Sequence, residues 1–217
     1  MRTNVKSRPD LLLLLSLLLV IVLHPILDHG DVRRLILGGL LFVPIVLSTI
    51  RLSQIKRRLW PLVLLLAGTS FIFAVATELR PNPAITSIKW GLVAVFFGVT
   101  VVGLFSYLRN ADFVTSSHLY TAVSIYLLLG LLWFALYSAA ACLSPGAILS
   151  SQRTLVDSQG ELLYFSLVTL TTLGYGDIVP LYGEVRMLAA LEAVTGVLYV
   201  AITVAILVSS YRRQGSP

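Results

Sequence analysis

A single cysteine, Cys142, stands in 217 residues, so no disulfide can form within the chain. It sits near the end of an apolar stretch, the setting of an inert small residue rather than a reactive thiol. Charge is scarce too. Asp, Glu, Lys and Arg supply 12% of the residues, about half of what a soluble domain carries. The three histidines, His24, His29 and His118, are scattered without ligand spacing, which leaves no metal cluster to read. The sequence has no nucleotide loop and no nucleophile–base pair. No enzyme, cofactor or small-molecule substrate is therefore expected. The net charge of +6 does not point to nucleic acid, because the basic residues sit between and beside apolar runs. That is the placement of topology signals and of contacts with lipid headgroups.

What the chain does have is apolar length: 57% of its residues, gathered in long runs. Six stretches are candidates to span a membrane, near 11–27, 34–50, 60–77, 89–108, 119–141 and 187–209. Pro44 predicts a kink in the second. Arg2, Lys6 and Arg8 precede the first as they would in a secretory signal. No A-x-A cleavage site follows it, so an uncleaved anchor is expected. With the N-terminus inside, ten Lys and Arg fall on inner segments and six on outer ones. Arg51, Lys56, Arg57 and Arg58 vote most strongly for this orientation, and Arg33 and Arg34 vote against it. Both termini are thus expected in the cytoplasm, with the chain in the cell membrane.

The fold class that follows is an all-α membrane protein of six transmembrane helices. Residues 1–110 form a four-helix region, and 111–217 form a second unit with a re-entrant segment between its two long helices. That segment, about 143–186, leaves and returns on the outer face. Ser158 and Glu161 have the spacing of a capping box, which starts a short helix there. A Gly-rich turn follows. Irregular backbone at membrane depth is tolerated only where protein buries it or it lines a water-filled path, so function is sought here.

The turn reads Thr169-Leu170-Thr171-Thr172-Leu173-Gly174-Tyr175-Gly176-Asp177. At these residues the chain resembles the potassium-channel family, whose filter is TVGYG. The resemblance covers roughly 120–210 and does not extend to the first hundred residues. Physical reasoning runs beside it. A dehydrated cation needs oxygen ligands in place of water, and backbone carbonyls provide them without net charge. Aligning successive carbonyls needs left-handed residues at alternate positions, which Gly174 and Gly176 allow. The Thr172 hydroxyl adds an oxygen at the inner end. Tyr175 is expected to pack sideways against the short helix.

The resemblance implies more. Potassium would be held by the carbonyls of Thr172, Leu173, Gly174 and Tyr175 and by the Thr172 hydroxyl, with Gly176 closing the filter and Thr171 supporting it. A homotetramer would close the ring of ligands. Asp177 would form an acidic outer mouth and bond back to Tyr164. Tyr164 and Phe165 stand where relatives carry a Trp pair, and Leu173 stands in place of Val. Gly196 falls at the position of the gating hinge, with close helix packing as the alternative. Val197, Val200, Val204 and Val208 are candidates for an apolar inner constriction. Glu192, one turn before Gly196, is an intramembrane acid and so a functional candidate. It is expected to bond to the back of the short helix, with a neutral carboxyl left open.

The fourth stretch carries no basic residue between Lys89 and Arg109, so steep voltage dependence is not expected. Seven residues follow Ser210, and no nucleotide- or calcium-binding domain is expected beyond the last helix. Two other functions fit the same features: a cation channel of weak selectivity, and a non-conducting membrane sensor with a pore-like module.

Overall fold

The computed structural model describes residues 9–27, 47, 60–79, 82–110, 115–150, 156 and 158–214. The second apolar stretch, Leu47 apart, lies outside these residues. So do the basic loop 51–58 and the basic residues at positions 2, 6, 8, 33 and 34.

Six helices and two short strands make up the described chain. They are α1 (Pro9–Leu27), α2 (Trp60–Leu79), α3 (Pro83–Arg109), α4 (Ser116–Leu143), β1 (Ile148–Ser150), α5 (Gln159–Leu170), β2 (Ile178–Pro180) and α6 (Gly183–Gln214). Three of them, α3, α4 and α6, are long and apolar enough to cross a membrane, and α1 and α2 hold shorter apolar stretches. Local signals set the ends. α3 begins well before the predicted residue 89, because Asn82 caps it and Pro83 opens it. The Asn82 side chain accepts from the Ala84 N–H at 2.9 Å, and proline at a first helical position forfeits no helical hydrogen bond. Ser158 caps α5, its Oγ accepting from the Glu161 N–H at 3.3 Å.

α4 is the hub. α3 packs antiparallel to it: the Ser87 hydroxyl at the start of α3 donates to the Ala139 carbonyl near the end of α4, at 3.3 Å. At the other end Tyr107 stacks on His118, with centroids 4.9 Å apart. α1 runs parallel to α4. Buried Asp10 accepts from Ser117 and, at 3.3 Å, from Thr121, both in the first turns of α4. Further along, His24 meets the Phe134 ring edge-on at 5.5 Å. A carboxylate at the N-terminal end of α4 also suits its helix dipole. The core gathers on these faces, with Leu17, Phe96, Phe97, Leu104, Ile125, Leu128 and Phe134 almost wholly buried. Two buried hydroxyls bond within their own helices: Thr100 donates to the Phe96 carbonyl at 2.9 Å and Ser70 to the Leu66 carbonyl at 2.7 Å. Such back-bonding satisfies a hydroxyl where lipid offers no partner.

The all-α expectation needs one correction. β1 and β2 pair antiparallel, Ile148 with Pro180, Leu149 with Val179 and Ser150 with Ile178. Three residues are too few for a period-two pattern to be read. The pairing joins the chain before α5 to the chain after the Gly-rich turn. The Leu181 N–H extends it by donating to the Ala147 carbonyl at 2.8 Å.

Candidate functional site

α5 leads directly into the turn. At its end the Thr171 N–H donates to the Leu167 carbonyl at 3.1 Å, and the Thr172 N–H to the Thr169 carbonyl at 2.9 Å. The Val168 carbonyl receives both Leu173 N–H, at 3.0 Å, and Gly174 N–H, at 3.4 Å. The last turn of the helix therefore sets where the extended segment starts. Thr171 folds its hydroxyl back onto the Leu167 carbonyl at 2.7 Å.

Beyond that point the backbone alternates. Thr172, Gly174 and Gly176 hold φ of 58°, 57° and 77°, and among the described residues Thr172 alone is a non-glycine with positive φ. Left-handed residues at every second position turn successive carbonyls to one side of the strand. A Cβ added at Gly174 or Gly176 would meet nothing within 4 Å, so these glycines are required by φ rather than by space. The sequence pointed to the two glycines and missed Thr172, whose side chain gives no sign of the left-handed backbone.

Asp177 ends the segment. Its Oδ2 accepts from the Tyr164 hydroxyl at 2.7 Å, and its Oδ1 from the Ile178 N–H at 3.1 Å. One carboxylate thus ties α5 to the start of β2. The bond to Asp177 raises the Tyr164 phenol above its ordinary value. Phe165, the next residue along α5, is buried, with its ring edge-on to Tyr137 at 4.9 Å.

α6 backs the short helix at two points one turn apart. Glu192 is wholly buried, and the hydroxyls of Ser166 and Tyr137 lie 2.6 Å from its two oxygens. At Gly196 an added Cβ would lie 2.0 Å from the Leu170 carbonyl oxygen, so only glycine fits that approach. The contact gives Gly196 a packing reason that needs no hinge. The Tyr126 hydroxyl, 3.3 Å away, also donates to the Leu170 carbonyl.

Within a single chain the side chains of the filter segment are uncovered. Tyr175 is 67% exposed and Leu173 55% exposed. Val197, Val200, Val204 and Val208 are exposed along α6 as well. No three His, Cys, Asp or Glu side chains come together among the described residues.

The family model described as an ion channel matches residues 122–213, the stretch that holds α5, the alternating segment and most of α4 and α6. That stretch of the chain is therefore similar to ion channels. Curated proteins named as potassium channels are similar to part of the chain. The human voltage-gated potassium channel KCNC3 is 33% identical over 99 residues, which are 44% of this chain and 13% of that protein. Potassium voltage-gated channel subfamily A member 5 of Mustela putorius furo is 33% identical over 86 residues, 38% of this chain and 14% of that protein. A putative potassium channel protein of Rhodopseudomonas palustris is 35% identical over 51 residues, 24% of this chain and 12% of that protein. The chain thus aligns with only a small part of each relative's length. No solved structure matches it. With three helices long and apolar enough to cross a membrane and a match to an ion-channel family, the chain is an integral membrane protein.

Proposed function

We propose that this chain is one subunit of a homotetrameric, potassium-selective channel that conducts passively, with its filter at Thr172, Leu173, Gly174, Tyr175 and Gly176. The observation that carries the reading is the alternation of left-handed backbone at Thr172, Gly174 and Gly176 directly after a short helix. One such strand offers a single column of carbonyls. A dehydrated cation needs ligands on all sides, so several copies must surround it. The exposure of Tyr175 and Leu173 fits that requirement, because both await cover that neighbouring copies would supply. Asp177, repeated around the axis, would concentrate cations at the outer mouth. The exposed valines of α6 would face the inner cavity, with Gly196 a candidate hinge as well as a packing contact.

The course of the helices supports six crossings. α1 runs parallel to α4 and α3 antiparallel to it. Only residues 80–82 link α2 to α3, so α2 runs the same way as α1. The chain leaving Leu27 must then return across the molecule before Trp60, and a spanning helix at 34–50 is the proposed path. In that arrangement 1–110 forms the four-helix region and 111–217 the pore unit. Both termini lie in the cytoplasm and lipid surrounds the helices. α3 carries basic residues only at Lys89 and Arg109, which argues against steep voltage gating even though two of the named relatives are voltage-gated.

Potassium flux into liposomes holding the purified protein tests the reading. Wild type is expected to pass potassium. Gly174→Ala, which places an L-side chain on a left-handed residue, is expected to abolish most of the flux. A wild type that passes none would overturn the proposal in favour of a non-conducting sensor.

A further inference from the structure

The carboxyl of Glu192 lies between three helices. Its Oε2 is 2.6 Å from the Tyr137 hydroxyl of α4, and its Oε1 is 2.6 Å from the Ser166 Oγ of α5. Ser166 Oγ is in turn 2.8 Å from the Gly130 carbonyl oxygen of α4. Glu192, Tyr137 and Ser166 are all 0% exposed.

The protons around these oxygens can be counted. A carbonyl only accepts, and a serine hydroxyl has one proton to give. Ser166 can give that proton to Gly130 or to Glu192, but not to both. With Glu192 ionised, one of the two Ser166 contacts becomes a pair of oxygens at bonding distance with no proton between them. With Glu192 protonated, every oxygen is used. Glu192 donates from Oε1 to Ser166, Ser166 donates to Gly130, and Tyr137 donates to Oε2. An ionised carboxylate would also need a cation to offset its burial.

No lysine or arginine among the described residues contacts the carboxyl. The titratable groups that face it are Tyr137 and Tyr126 of α4, and on α6 itself Tyr199, whose ring meets that of Tyr126. α5 presents Ser166, which does not titrate. His24 of α1 meets the Phe134 ring, and the charges of α3 are Lys89, within its first two turns, and Arg109 at its end.

We propose that Glu192 is a neutral carboxylic acid in the folded protein, and that in this form it is a positioning residue for the filter. The positioning half rests on the channel reading above. The lever is short: Ser166 stands two residues before Val168, whose carbonyl receives the Leu173 and Gly174 N–H groups. Together with the approach of Gly196 to Leu170, the acid pins the last turns of α5 to α6 at two points. Releasing one point lets the short helix shift, and the filter carbonyls shift with it.

Infrared difference spectra of the purified full chain, wild type minus Glu192→Gln at neutral pH, test the protonation. The expected result is a C=O stretch of a neutral carboxylic acid that the variant lacks. Potassium and sodium flux in liposomes tests the role. Glu192→Gln donates from its amide to Ser166 and accepts from Tyr137, so it keeps wild-type selectivity. Glu192→Met fills similar space with neither bond, and loses about tenfold in potassium over sodium preference. Ser166→Ala is the milder cut and shifts selectivity the same way should Glu192→Met fail to assemble. A difference spectrum with carboxylate bands alone overturns the neutral acid. Wild-type selectivity in both Glu192→Met and Ser166→Ala overturns the positioning role. A wild type that shows the acid band but passes no cation overturns the positioning role together with the channel reading, which separates that failure from the others.

Discussion

Thr172 holds a left-handed backbone that costs an L-residue about 1–2 kcal/mol. The hydrogen bonds of Thr172, Leu173 and Gly174 back to α5 offset that cost and fix the strand's direction. Asp177 secures the far end through Tyr164 and Ile178. Asp177→Asn keeps an oxygen for the Tyr164 hydroxyl and removes only the charge. Single-channel conductance of this variant is expected to fall, and to fall most at low ionic strength, where screening is weakest. A conductance unchanged at low salt would mean that Asp177 serves the bond alone. At this scale the sequence was informative where chemistry forces a residue type. Glycine takes positive φ at no steric cost, and a carboxylate offers a strong acceptor to a phenol. Thr172 escaped because its left-handed backbone is imposed by its neighbours and not by its own side chain. Asp10 escaped too, since its partners Ser117 and Thr121 lie more than a hundred positions away.

Among the elements, the contact of α5 with α6 carries the site. Gly196 lets the Leu170 carbonyl approach to a distance that no Cβ permits. Gly196→Ala is expected to destabilise the protein by about 1–3 kcal/mol through overpacking. Gly91→Ala on α3 is the control: nothing lies within 4 Å of its added Cβ, and alanine there should stabilise the helix by up to about 1 kcal/mol. Thermal unfolding of the two variants in detergent gives the comparison. Equal shifts would remove the packing account of Gly196. The long helices were legible from apolar length, and α5 from the Ser158–Glu161 spacing. Their ends were less so, because capping by Asn82 and Pro83 carries α3 beyond its apolar run. β1 and β2 were not legible at all. Each has three residues, and each takes its order from a partner on the far side of α5.

Taken whole, the molecule is built around α4, with α1 and α3 on it and the α5–α6 unit beside it. α6 leaves much of its apolar surface uncovered, including Leu191, Val194, Val197 and Leu198. Part of that surface meets lipid in the proposed assembly, and part meets neighbouring copies around the axis. Which part is which cannot be read from a helix apolar on every face, since hydrophobic periodicity then distinguishes no side. For the same reason the sequence offered the first four stretches as candidate membrane spans and said little about their role. The central claim is that main-chain oxygens at 172–175 select potassium. The reversal potential of the purified wild type, with potassium on one side of a bilayer and sodium on the other, tests it most directly. The expected value lies close to the potassium equilibrium potential. A value near zero, with both ions passing alike, would contradict it.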